Sequence, residues 1–142
     1  MTPFDQILDA VAEACKAVPE LQERAYIERQ TKLDADRMPG VIVWPGSLLP
    51  GRLGNDANAM RYSFRVDLFC AGERPSRQFY SLAAAVHTAL LGSVGLQALI
   101  TELPVPAMDE PVYGDFDGFA GYLPIRYTVT VVTDNHDVSR LT

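Results

Sequence analysis

Between Tyr62 and Cys70 the chain alternates apolar and polar side chains almost without a break. Tyr62, Phe64, Val66, Leu68 and Cys70 fall on one side, and Ser63, Arg65 and Asp67 on the other, with Arg61 just before them. A two-residue repeat of this kind marks a strand with one buried face, here over 60–71. The repeat returns at 121–134, where Leu123, Ile125, Tyr127, Val129 and Val131 alternate with Arg126, Thr128 and Thr130. Pro124 has no N–H to give, which places it at an edge or at the start of pairing. A third strand is expected at Val41–Trp44, a β-prone run flanked by Pro and Gly breakers. Weaker strand signals lie at 24–31, at 96–103 and near 111–114.

Two segments show the helical period instead. Over 2–18, Phe4, Ile7, Leu8, Val11, Cys15 and Val18 form one stripe. Thr2 is placed to cap that helix, with Pro3 at its first position and Asp5 in its first turn. Pro19 ends it. Over 76–91 the stripe is Phe79, Leu82, Ala83, Val86 and Leu90, with Ser76 or a neighbour as cap and Gly92 as a left-handed stop.

Two helices, each apolar on one side, and four or five strands in the order αβββαββ predict an α+β fold. The economical arrangement is two layers: a mostly antiparallel sheet of four to five strands with both helices on one face. The chain of 142 residues fits a single domain over 1–134, followed by a polar tail at 135–142. Two segments read as long loops. One is 46–59, which carries Leu48, Leu49 and Leu53; these leucines either fold back on their own domain or are covered by a neighbouring subunit. The other, between Pro104 and Gly121, is rich in Pro, Gly and Asp.

Composition narrows the function. Apolar residues make up 48% and charged residues 21%, as in an ordinary globular protein. The net charge of −6, with no run of Lys and Arg, argues against gripping nucleic acid and suits a surface past which DNA slides. Cys15 and Cys70 sit among apolar neighbours and read as buried free thiols. No basic segment leads into an apolar run at the N-terminus, and no stretch reaches about 20 apolar residues, so neither a signal peptide nor a membrane span is expected.

Candidate chemistry is sparse. His87 and His136 fall in different elements and have no third ligand beside them. Nucleophile elbows, phosphate loops, dinucleotide fingerprints and zinc-protease motifs are missing from the sequence. Asp109, Glu110, Asp115 and Asp117 gather in one segment, and Asp115-Phe-Asp117-Gly118 opens like a calcium loop. The twelfth position of such a loop must be an acid, and here it is Arg126. No cofactor or metal is expected. What stands out is the second face of the sheet, with Arg61, Arg65, Asp67, Arg126, Thr128 and Thr130. Opposite charges and short hydroxyls set register and partner choice where subunits meet. These residues, with Leu48, Leu49 and Leu53, form the expected contact surface.

The sequence of elements carries a resemblance. "FDQILDAVAEA", "MPGVIVWPG", "RYSFRVDLFCAG" leading into "RQFYSLAAAVHTALLG", and "GYLPIRYTVTVV" together resemble the tail terminator, or tail completion, proteins of long-tailed bacteriophages, and more broadly their minor tail and neck proteins. The likeness runs over 2–132 and rests on element order, not on a catalytic motif. It implies a hexameric ring of self-associated subunits in the virion, made in the host cytoplasm, which caps the tail tube protein and offers a docking surface to the head–tail connector protein. DNA passes through without specific binding, no membrane is involved, and there is no catalysis. The acidic group Asp109, Glu110, Asp115 and Asp117 would then face the lumen or the tube. Competing readings are a head-completion or connector neck protein, a part of a tail-like bacterial machine, and a small enzyme or ion-binding domain using the carboxylates of 109–117.

Overall fold

The computed structural model describes residues 1–31, 33–50, 57–114 and 120–134. Leu53, Asp115, Asp117, His136 and the 135–142 tail therefore lie outside the described residues.

Helix α1 spans Pro3–Lys16. Its start is fixed by a reciprocal cap: the Asp5 N–H donates to Thr2 Oγ1 at 3.2 Å, and the Thr2 N–H donates to the Asp5 carboxylate at 3.0 Å. Those bonds hold the Asp5 carboxyl below its ordinary range. Ile7, Val11 and Cys15 are fully buried along the expected stripe. Beyond Lys16 a single 3₁₀ turn, Pro19–Leu21, brings Leu21 into the same core.

Strand β1 is Ala25–Ile27, β2 Gly40–Pro50 and β3 Ala57–Ala71. Helix α2 is Ser76–Leu91, and its five expected core residues are all buried. Helix α3 is a single turn, Val94–Gln97, capped by Ser93, whose hydroxyl accepts the Leu96 N–H. Short strands β4, Ala107–Met108, and β5, Val112–Tyr113, precede the long β6, Ala120–Asp134. The sheet order is β1-β2-β3-β6-β4, with β5 also against β6. Among the described residues all pairings are antiparallel except β1 with β2, so the sheet is mixed, with six strands instead of four or five. The α+β class and the two layers agree with the sequence reading.

One face of the sheet and both long helices enclose the main core: Val41 and Val43 from β2, Phe64, Val66 and Leu68 from β3, and Leu123, Ile125 and Val129 from β6, against Ile7, Val11, Phe79 and Val86. Each such side chain contributes roughly 1.5–3 kcal/mol by leaving water. The alternation in β3 and β6 thus does what it predicts.

Three local expectations are corrected. Residues 46–50 are not loop: β2 continues through Pro50, with a bulge between Pro45 and Leu48 that absorbs the Gly and Ser. Segment 96–103 is not a strand: α3 occupies its first half, and Ile100 and Leu103 then tuck into the core. Gly92 ends α2 with φ −83°, in the right-handed region, because the chain continues by way of Ser93 into α3 instead of reversing.

The two flanks of the sheet differ. The Val41 N–H donates to Arg24 O and the Glu28 N–H to Val43 O, so odd residues of β2 turn their main chain outward. Pro45 follows the same repeat and presents no N–H there. On the β6 flank, the Asp109 N–H donates to Pro124 O and the Thr101 N–H to Thr130 O. Pro124 therefore aims its missing donor at the broken outer flank, between β5 and β4, and not at β3.

Candidate interaction surface

The outer face of the sheet divides into two halves. Around Phe69 it is sealed: Leu33, Met38, Ile42, Phe69 and Ala120 are buried together, with Tyr26, Trp44, Ala71 and Tyr122 packed against them. The rings of Phe69 and Tyr122 lie 4.9 Å apart, and Arg29 stacks over Tyr26 at 4.8 Å. This second, smaller core covers part of the face that the sequence reading left open.

Asp67 sits at the boundary and is only 4% exposed. Its carboxylate accepts from Arg65 Nε at 2.8 Å and also from the Trp44 side chain. Burial pushes its carboxyl above the ordinary range, and the neighbouring Arg65 opposes that shift without cancelling it. Asp67 is thus a wedge inside the monomer, while Arg65 keeps nearly half of its side chain in solvent and lies over Trp44 at 5.9 Å.

Beyond this boundary the face is polar. Arg65 pairs across β3 and β6 with Arg126, Ser63 with Thr128, and Arg61 with Thr130. Leu49 of β2 lies opposite Arg61. Thus Arg61, Arg65, Arg126, Thr128, Thr130 and Leu49 share one surface, as the alternation requires. Leu48 is displaced from it: it pairs with Tyr62, so its side chain belongs to the helix side of the sheet. Both leucines are exposed, 39% for Leu48 and 54% for Leu49.

Two like charges directly opposite each other in a ladder repel. Here each arginine is drawn to a different acid, Arg65 to Asp67 along its own strand and Arg126 to Asp109 on the far side. Between them a pit of about 230 Å³ opens, walled by Pro45, Gly46, Ser63, Tyr122 and Pro124 and by Asp109, the acid paired with Arg126. Its Gly46 wall depends on glycine, since a Cβ there would stand 2.5 Å from the Ser63 carbonyl oxygen. The Ser47 N–H donates to Ser63 Oγ at 2.8 Å and pins the bulge. A second hollow of about 400 Å³ continues on the other side of Arg126, toward Arg61, Val105 and Thr128.

Of the acidic group, Asp109 is therefore engaged with Arg126 at the rim of this surface, and Glu110 beside it is exposed. Among the described residues, no three His, Cys, Asp or Glu side chains come together as a metal site would require. His87 is bound to Tyr127. Cys15 and Cys70 are buried, with thiol pKa values pushed up to about 12 by burial. No helix among the described residues is long and apolar enough to cross a membrane.

What sequence reasoning missed is the sealed half and the wedge. The signal was available: Ile42, Trp44, Phe69 and Tyr122 are all apolar at positions of the outer face.

No family model and no curated protein matches the chain. Among solved structures, it is similar to a chain described as "Virion of native gene transfer agent (GTA) particle", with 11% identity, a TM-score of 0.48, and coverage of 88% of this chain and 93% of that one.

Proposed function

We propose that this protein is a structural subunit that associates with copies of itself into a ring of the tail-terminator kind, capping a virion tail tube and presenting a surface to the head connector. The observation that carries this reading is the open half of the outer sheet face. One half is closed by the chain's own Leu33, Met38, Ile42, Trp44, Phe69 and Tyr122, while the half from Arg65 to Thr130 is left to solvent with three arginines, hydroxyls and the exposed Leu49. A charged yet hydroxyl-rich flat face beside an aliphatic side chain fits a wet, specific subunit contact. The element order that resembles the tail-terminator proteins supports the ring and its place. A ring needs two different patches per subunit, joined head to tail with a rotation that closes. The role is mechanical: the ring ends the tube and lets DNA through an acidic passage.

The test is native mass measurement and negative-stain imaging of the purified chain, followed by binding to tail tube protein and to head connector protein. Closed rings that bind the tube support the reading. Binding to the connector alone moves the ring to the neck, and a chain that stays monomeric and binds neither overturns the proposal.

A further inference from the structure

A head-to-tail contact needs two complementary patches, and the open half of the sheet face is one of them. We infer that the pit between Arg65 and Arg126 receives a carboxylate from the outer side of helix α1 of a second copy. The inference rests on the self-association reading and adds the pairing of surfaces.

Three observations converge. First, Arg65 and Arg126 stand directly opposite on β3 and β6, with side chains 46% and 52% exposed. Second, their own acids occupy only part of each guanidinium. Asp67 takes the Nε edge of Arg65 and Asp109 takes one terminal nitrogen of Arg126, whereas a guanidinium carries five N–H donors. Both arginines line a polar pit whose size suits a carboxylate side chain and not a drug-sized ligand; Asp109 lines it too, so the two guanidinium groups face one resident acid there. Third, the opposite side of this two-layer molecule carries the complementary charge. Asp5, Asp9 and Glu13 follow one another at four-residue spacing along the exposed side of α1. The first 23 residues hold five acids and one lysine.

Asp5 is committed to the helix cap and Glu13 accepts from Lys16 Nζ at 3.1 Å through one oxygen, which leaves Asp9 and the second oxygen of Glu13 to meet a neighbour. Stacking the helix side of one copy on the sheet side of the next brings acid to arginine. It also relieves the like-charge pair, and it repeats head to tail as a ring requires.

The experiment is a charge swap read by sedimentation velocity over a range of protein concentration. Arg126→Glu alone and Asp9→Lys with Glu13→Lys should each weaken association about tenfold or more, and combining them should restore most of it. Arg126→Gln should weaken it in the same direction, and circular dichroism with thermal melting should show each variant folded. Raising salt from about 0.05 M to about 0.5 M should weaken the wild-type assembly by screening these charges. If the sheet-face change weakens association but the swap restores nothing, the pairing is wrong. If wild-type assembly ignores both sets of reversals, the contact is overturned and the self-association reading stands. A wild-type chain that is monomeric at every concentration overturns both.

Discussion

His87 Nδ1 and Tyr127 Oη lie 2.8 Å apart, and their rings stack 5.8 Å apart at 9°, joining helix α2 to the middle of β6. Tyr127 is fully buried, and burial raises its phenol above the ordinary value. Phe64 stacks against it at 5.3 Å. This polar bond inside an apolar layer fixes how the helix sits on the sheet. Tyr127→Phe is expected to cost about 1–2 kcal/mol, because it strands a partly buried imidazole. Tyr127→Phe combined with His87→Leu should cost less than the two single changes added together, and urea denaturation of all three variants measures that coupling. Strict additivity would mean that the bond contributes nothing.

Gly46 is the position where the β2 bulge admits no side chain. Gly46→Ala would drive a methyl group into the Ser63 carbonyl and hydroxyl, both 2.5 Å from the ideal Cβ. The expected loss is about 1–3 kcal/mol. It should appear as a lower denaturation midpoint with an unchanged m-value.

Asp67 gives the protein a pH dependence of defined sign. Its folded-state carboxyl is raised above the ordinary value of 3.8, so the folded chain holds that proton more tightly than the unfolded chain does. Stability from this group is therefore present at low pH and declines as pH climbs through the carboxylate range to the raised value. Asp5, whose carboxyl is lowered, acts in the opposite direction, losing its contribution as pH falls. Subtracting the stability–pH curve of Asp67→Asn from that of wild type isolates the first effect. The difference should fall with rising pH, and a flat or rising difference defeats the argument.

Leu21 and Leu49 separate folding from assembly. Leu21 is fully buried, so Leu21→Ala should cost about 2–5 kcal/mol in monomer stability. Leu49 is 54% exposed, so Leu49→Ser should leave monomer stability within about 0.5 kcal/mol while raising the monomer fraction in sedimentation. If Leu49→Ser leaves association untouched, that leucine is no part of a contact.

The long strands and both long helices were legible because each has a regular period with one apolar side. The capping box at Thr2 was half legible, from residue types at the right spacing. The bulge was not. Gly46, Ser47 and Pro50 look like loop chemistry, and only pairing with Ser63 and Met60 keeps them in a ladder. Segment 96–103 was misread because Leu96, Ile100 and Leu103 are apolar without a clean period, and a single capped turn leaves too short a trace to recognise. At the candidate surface, alternation placed Arg61, Arg65, Arg126, Thr128 and Thr130 together correctly. It could not show that Asp67 is buried, because that depends on Trp44 and on a cluster assembled from distant residues.

Pro45 on the outward repeat of β2, followed at once by the bulge, has a consequence for growth. Pro45 withholds a main-chain donor just beyond the short edge strand β1, and short strands with the Thr101 bond occupy much of the other margin, so neither side offers a long uninterrupted ladder for strand addition. Copies of this chain are thereby steered away from fusing into one continuous cross-strand ribbon. In the proposed ring the subunits would then meet through side chains, a kind of union that salt and charge can reverse.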